Sequence, residues 1–144
     1  DLDVCLGQSV VIAAHPRAEK GLLETCYPGR TIVYGETAKL IKAASLVVVS
    51  NPTTSLGMVA TFRKPAVVIR VPELWDGSWR QMQAYIEALD LDVFDYRDIP
   101  SHWSPRGINE DAYTAFLDLT VKRKTSPDLP FWEIVRGDLT TDGP

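Results

Sequence analysis

The chain has 144 residues, of which 45% are hydrophobic and 24% charged, values of a globular domain that exclude a wholly disordered one. The formal net charge is −4 and the basic residues are scattered. Nucleic acid is therefore not an expected partner, because affinity for a phosphate backbone needs a positive face. With no run of 18 or more apolar residues, no membrane span is expected either.

The first residue is Asp rather than Met, and the chain is read as a piece of a longer protein. Cys5 and Cys26 have no metal-ligand spacing and build no disulfide framework. They are read as free thiols in a reducing compartment, with a single bridge between them as the alternative. Ser9 to Ala14 is a continuous apolar run that suits a central parallel strand, and Pro16 ends it by removing a ladder donor. A short helix from Ala18 to Cys26 is stopped by Pro28-Gly29. Thr31 to Tyr34 forms a second strand. Beyond Gly35, the apolar positions Ala38, Leu40, Ile41 and Ala44 have helical spacing.

A run of β-branched residues, Val47-Val48-Val49, then breaks off in Ser50-Asn51-Pro52-Thr53-Thr54-Ser55, and helical spacing resumes through Leu56, Val59, Ala60 and Phe62. Such a strand, polar turn and helix start gathers hydroxyls and free N–H groups where an anion is well held. The plain alternative is that one of these hydroxyls is only a helix cap. Ala66 to Val71 makes a fourth strand, Ser78 to Leu89 an amphipathic helix, and Leu91 to Tyr96 an edge strand. Asn109 caps a last helix, about Glu110 to Lys122. Alternation of this kind predicts an α/β, Rossmann-like three-layer domain, with a parallel sheet of four to five strands and helices on both faces. The domain is placed at residues 1–124, followed by a partly disordered tail at 125–144.

In an open parallel sheet, ligands bind beyond the carboxyl ends of the strands. Here those ends carry His15-Pro16-Arg17, Gly35-Glu36-Thr37 and Asn51 to Ser55. His15 offers a hydrogen bond or a charge to a phosphate, and Arg17 a bidentate contact or a surface ion pair. Glu36 suits a ribose diol, or else compensates a helix dipole in its first turn. No Gly-x-Gly-x-x-Gly or Walker loop is present, which disfavours dinucleotide redox enzymes and P-loop hydrolases; there is no Gly-x-Ser-x-Gly elbow, and Ser55 has no local partner for a triad. Asp76, Asp90, Asp92, Asp95 and Asp98 fit no metal loop and are read as a solvated face, so no metal is expected. The four Trp residues are read as packing.

A strand ending in His15-Pro16, a strand followed by Gly35-Glu36, and a strand ending in hydroxyls before a helix and Arg63-Lys64-Pro65 resembles the C-terminal half of GT-B glycosyltransferases. The resemblance is to bacterial sialyltransferases, polysialyltransferases and capsule-polysaccharide transferases, and it covers about residues 9–72. It implies that His15-Pro16 and the pair Thr54-Ser55, with Thr53 beside it, hold a sugar nucleotide, commonly a cytidine monophosphate donor, while Glu36 meets the ribose. Thr-Thr-Ser stands where a Ser-Ser or Ser-Thr pair is usual, which leaves open which two hydroxyls face the phosphate. That family carries its acidic base on the N-terminal domain, and nothing here matches it. The implied role is therefore a donor-binding domain in surface polysaccharide or glycan synthesis, with no catalytic residue assigned. A nucleotide sugar is the implied substrate, with no cofactor; a glycan acceptor and an N-terminal domain of the same protein are the implied partners. The implied setting is cytoplasmic, at most peripheral at the inner membrane. The alternatives are a sugar-nucleotide epimerase-like enzyme and a non-catalytic nucleotide- or carbohydrate-binding module.

Overall fold

The computed structural model describes residues 3, 7, 9–51, 54–74, 79–100, 103–121, 125, 126, 129 and 133. Cys5, Pro52, Thr53, Asp76, Ser78, Lys122 and most of the expected tail lie outside the described residues. Strands and helices alternate as the sequence pattern predicts: β1 (Val11–Ala14), α1 (Lys20–Cys26), β2 (Thr31–Tyr34), α2 (Thr37–Ala43) and β3 (Val47–Val49). Then come α3 (Ser55–Thr61), β4 (Ala66–Arg70), a helical turn at Pro72–Leu74, α4 (Trp79–Leu89), β5 (Asp92–Asp95) and α5 (Glu110–Thr120).

The protein is α/β with parallel strands, but the strands are divided between two sheets rather than joined in one of four to five. β1 pairs with β2 from Val11–Thr31 to Ala14–Tyr34, while β3, β4 and β5 form a second sheet in that order. Periodicity predicts parallel crossovers; it does not determine which strand edges meet. Here β3 is only three residues long, and both Val11 and Ala13 of β1 are exposed. Helix α2 packs on β1 and on α3, and so links the two sheets.

The core lies under the second sheet. Register places Val47, Val49, Ala66, Val68 and Val93 on one face, and they pack with Leu56, Val59, Ala60, Met82, Leu89, Tyr113 and Phe116 from the helices. β4 is the middle strand, and Val67, Val68 and Ile69 are buried on both of its faces, as a continuous apolar run requires. On the opposite face Trp103 packs edge-on against Phe94, with centroids 5.4 Å apart, and donates its indole N–H to Asp92 at 3.2 Å.

Both α3 and α4 end with a residue in left-handed backbone, Arg63 at φ 51° and Asp90 at φ 53°. Each end closes with the reversed bonds of a Schellman cap: Lys64 N–H to Val59 O at 3.0 Å, and Leu91 N–H to Ile86 O at 3.0 Å. Their side chains then hold the start of α5. Arg63 pairs with Glu110 at 2.5 Å and donates to Thr114 at 3.0 Å, while Asp90 accepts from Asn109 at 3.0 Å. Arg106 adds a 2.8 Å contact to Asp92. Asp90, though exposed, and the half-buried Asp92 thus also hold α5, a role that their reading as a solvated face did not include. Asn109 caps α5 as expected, accepting from Ala112 N–H at 3.1 Å.

Candidate functional site

The parallel register of β1 and β2 brings two of the three expected clusters side by side. Beyond the ladder, Gly35 N–H donates to Ala14 O at 3.3 Å, which holds the Gly35-Glu36 turn against the His15-Pro16 turn. Gly35 has φ +73°, a conformation that suits glycine, and a Cβ built there would meet Pro16 Cγ at 3.6 Å. The strain of a substitution at this position would therefore come from the backbone rather than from crowding.

His15 is exposed at the head of its turn, where its carbonyl accepts from Ala18 N–H at 2.9 Å. Its Nδ1 accepts from Arg17 N–H at 3.1 Å. An imidazole with Nδ1 as acceptor carries its proton on Nε2, so the outward nitrogen is a donor. Arg17 is exposed as well. Glu36 precedes α2 without capping it, and its carboxylate pairs with Lys39 at 3.1 Å. Both side chains are well exposed, so this pair is weak and a ligand hydroxyl can compete for the carboxylate. Thr37 opens α2.

The third cluster belongs to the other sheet, so the β1–β2 hydrogen bonding does not extend to it. Asn51 and Thr54 are exposed, and Ser55 is half-buried as the first residue of α3. Thr54 takes helical backbone angles, φ −58° and ψ −14°, and its side chain makes no cap hydrogen bond. The cap alternative does not hold for Thr54, in contrast to Asn109. Thr53 lies outside the described residues.

Several neighbours of this edge were not singled out from the sequence. Tyr34, the last residue of β2, lies under the Lys20 ammonium, 5.4 Å from the ring centroid. Burial raises its phenol above the ordinary value, and the Glu24 carboxylate adds to the shift. Lys39 was legible in principle, since it stands at the helical i, i+3 spacing from Glu36. At the carboxyl end of the second sheet, Glu73 pairs with Arg97, and Arg70 stacks on Trp79; no local spacing announces these contacts.

A concave surface among the described residues lies at the other end of the sheet, lined by Ala66, Asp90, Asp92, Arg106, Asn109 and Tyr113. At about 10 Å³ it has room for no more than a water molecule, and its Asp90, Asp92, Arg106 and Asn109 side chains bond to one another. Among the described residues no group of three or more His, Cys, Asp and Glu is arranged to hold a metal ion. No helix of the described residues is long and apolar enough to cross a membrane. Comparison of the chain with protein-family models, curated proteins and solved structures gives no match.

Proposed function

We propose that this chain is a sugar-nucleotide-binding domain of a GT-B-like glycosyltransferase, active in surface polysaccharide or glycan synthesis. The observation that carries the reading is the juxtaposition of the His15-Pro16 turn and the Gly35-Glu36 turn by the Gly35 to Ala14 hydrogen bond. It unites, at the carboxyl edge of parallel strands, a donor for a phosphate oxygen and an acceptor for a ribose diol. The Thr54 hydroxyl, which makes no cap hydrogen bond, adds a donor from the turn before α3, with Ser55 beside it. Glycosyl transfer requires stabilisation of the leaving phosphate and a base for the acceptor hydroxyl. His15 Nε2 and the hydroxyls supply the first; the base belongs to another domain of the same protein, across the cleft that also admits a glycan acceptor. The nucleotide sugar is substrate, and no cofactor takes part.

Calorimetric titration with cytidine and uridine nucleotides tests this directly. His15→Ala and the double change Thr54→Ala/Ser55→Ala should each weaken binding about tenfold, the value of one charge-assisted hydrogen bond. If neither nucleotide family binds the unaltered chain at roughly millimolar concentration, the reading fails.

A further inference from the structure

The carboxyl edge of the second sheet holds an arrangement that the nucleotide reading does not use. Arg70, the last residue of β4, is exposed, and its guanidinium carbon lies 4.9 Å from the centroid of the Trp79 indole. Trp79, the first residue of α4, is itself packed against the core, so the stack is anchored from below. Register sets Asp95 beside Arg70, on the same face of the sheet. The obvious ion pair nevertheless does not form. Among the described residues the Arg70 side chain has no carboxylate partner, and Asp95 Oδ1 instead accepts from Arg97 N–H at 3.0 Å.

A second guanidinium stack stands next to it. Arg97 covers the ring of Tyr96 with 4.9 Å to the centroid, but its charge is taken by Glu73, whose carboxylate also meets the Tyr96 hydroxyl at 3.5 Å. The Tyr96 N–H donates to Arg70 O at 3.0 Å, so the two stacks are held together by the strand ladder. One guanidinium is thus neutralised, while the other belongs to an exposed residue with no ion pair among the described residues. Stacking on an aromatic face orders the guanidinium without consuming its N–H donors.

We propose that Arg70, ordered on Trp79, is a binding site for an organic monocarboxylate, the ligand whose two coplanar oxygens match a guanidinium edge. Charge decides between a carboxylate and a phosphate dianion. Among the described residues Arg70 and Arg97 are opposed by Glu73 and Asp95, two cations against two anions, and Asp98 stands in the same turn, donating its N–H to Asp95 O at 2.9 Å. A surrounding with no net positive charge suits a single charge delivered in bidentate form and disfavours two. The site lies at the strand ends where parallel sheets bind ligands, and it does not depend on nucleotide binding at the first sheet.

Acetate is the probe, with inorganic phosphate beside it, followed by residue-resolved NMR on the whole chain. Acetate should shift the Trp79 indole signal saturably on the order of tens of millimolar, as an exposed charge-assisted contact allows, while phosphate leaves it in place. Arg70→Gln should weaken acetate about tenfold, and Arg70→Lys, which keeps the charge but loses the fork, should fall between. Arg80→Gln, an exposed change on the same helix, should titrate like the unaltered chain. The proposal is overturned by the absence of a saturable acetate shift, by phosphate binding as tightly as acetate, or by Arg70→Gln titrating unchanged. If Arg70→Gln does not fold, Arg70→Lys decides: unchanged acetate binding there overturns the bidentate contact.

Discussion

The β1–α1–β2 unit and the β3–α5 region share one architecture and differ in how they are held. In the first, Ala14 is the buried hydrophobic residue, α1 buries nothing, and Leu22 is 56% exposed. In the second, Leu56, Val59, Ala60, Val68, Met82 and Leu89 are wholly enclosed. Polar ties take over where the apolar core stops. Asp3 accepts from Val10 N–H at 2.9 Å and pairs with Arg30, joining the residues that lead into β1 and β2. The lesson is a division of labour: the second region supplies stability, while the more thinly packed first one carries His15 and Glu36. Ligand-binding edges are commonly drawn from the less stable parts of a fold.

The largest test of that division is Leu56→Ala. Leu56 is 0% exposed in the main cluster, and its truncation should cost about 2–5 kcal/mol from lost transfer energy and the cavity left behind. Urea unfolding should show the loss as a lower midpoint with little change in slope. Next in size is Tyr113→Phe. The Tyr113 hydroxyl donates to Lys64 O at 2.9 Å, tying α5 to the α3–β4 connection, and its removal leaves that carbonyl unpaired at a cost of about 1–3 kcal/mol.

The same residue gives a pH signature. Burial, helped by the Glu110 carboxylate, pushes the Tyr113 phenol up to about 12, above its ordinary 10.0. A value raised in the folded state means that the unfolded chain releases the proton first. Stability from this group is therefore full below about pH 10 and is lost as pH rises toward 12. The Phe variant should lack that alkaline loss, and a matching decline in both proteins would show that Tyr113 is not its source.

How much of this the sequence foretells follows from the range of each interaction. Period and punctuation are local, so the alternation, the Asn109 cap and the stop at Arg63-Lys64-Pro65 are legible residue by residue. The break between the sheets is not, because the pattern of β1 is equally compatible with a neighbour on either edge. Nor is the fate of Asp90. A Schellman cap ordinarily advertises itself by glycine at the left-handed position, and here Arg63 and Asp90 occupy it, with side chains recruited to clamp α5. Of the candidate site, the composition of each strand end was readable. The Glu36–Lys39 pair had a visible spacing, whereas Arg97 meets Glu73 across 24 residues of sequence. Contacts of that reach depend on the register between β4 and β5, which no single segment encodes.

The smallest expected effect tests the other side of the comparison. Leu22→Ala removes an exposed side chain from α1, a helix with no buried residue, and should change stability by no more than about 0.5 kcal/mol. Amide exchange gives the same contrast without mutation: Ile12 and Ala14 should exchange at lower opening cost than Val67 and Val68, because less apolar surface is exposed when β1 separates. A loss of 2 kcal/mol or so in Leu22→Ala, the range of a core truncation, would mean that α1 is packed in solution and that the unit is not the weaker one. The Asp3–Arg30 tie sharpens the point. The Arg30 hydrogen bond holds the Asp3 carboxyl below its ordinary 3.8, against an opposing push from burial and with help from Val10 N–H. Its contribution is present above pH 3.8 and is lost as pH falls through the lowered value. Protection at β1, taken relative to the intrinsic amide rate at each pH, should therefore fall on acidification before protection at β4 does, which places the first opening of the fold at the edge that carries His15.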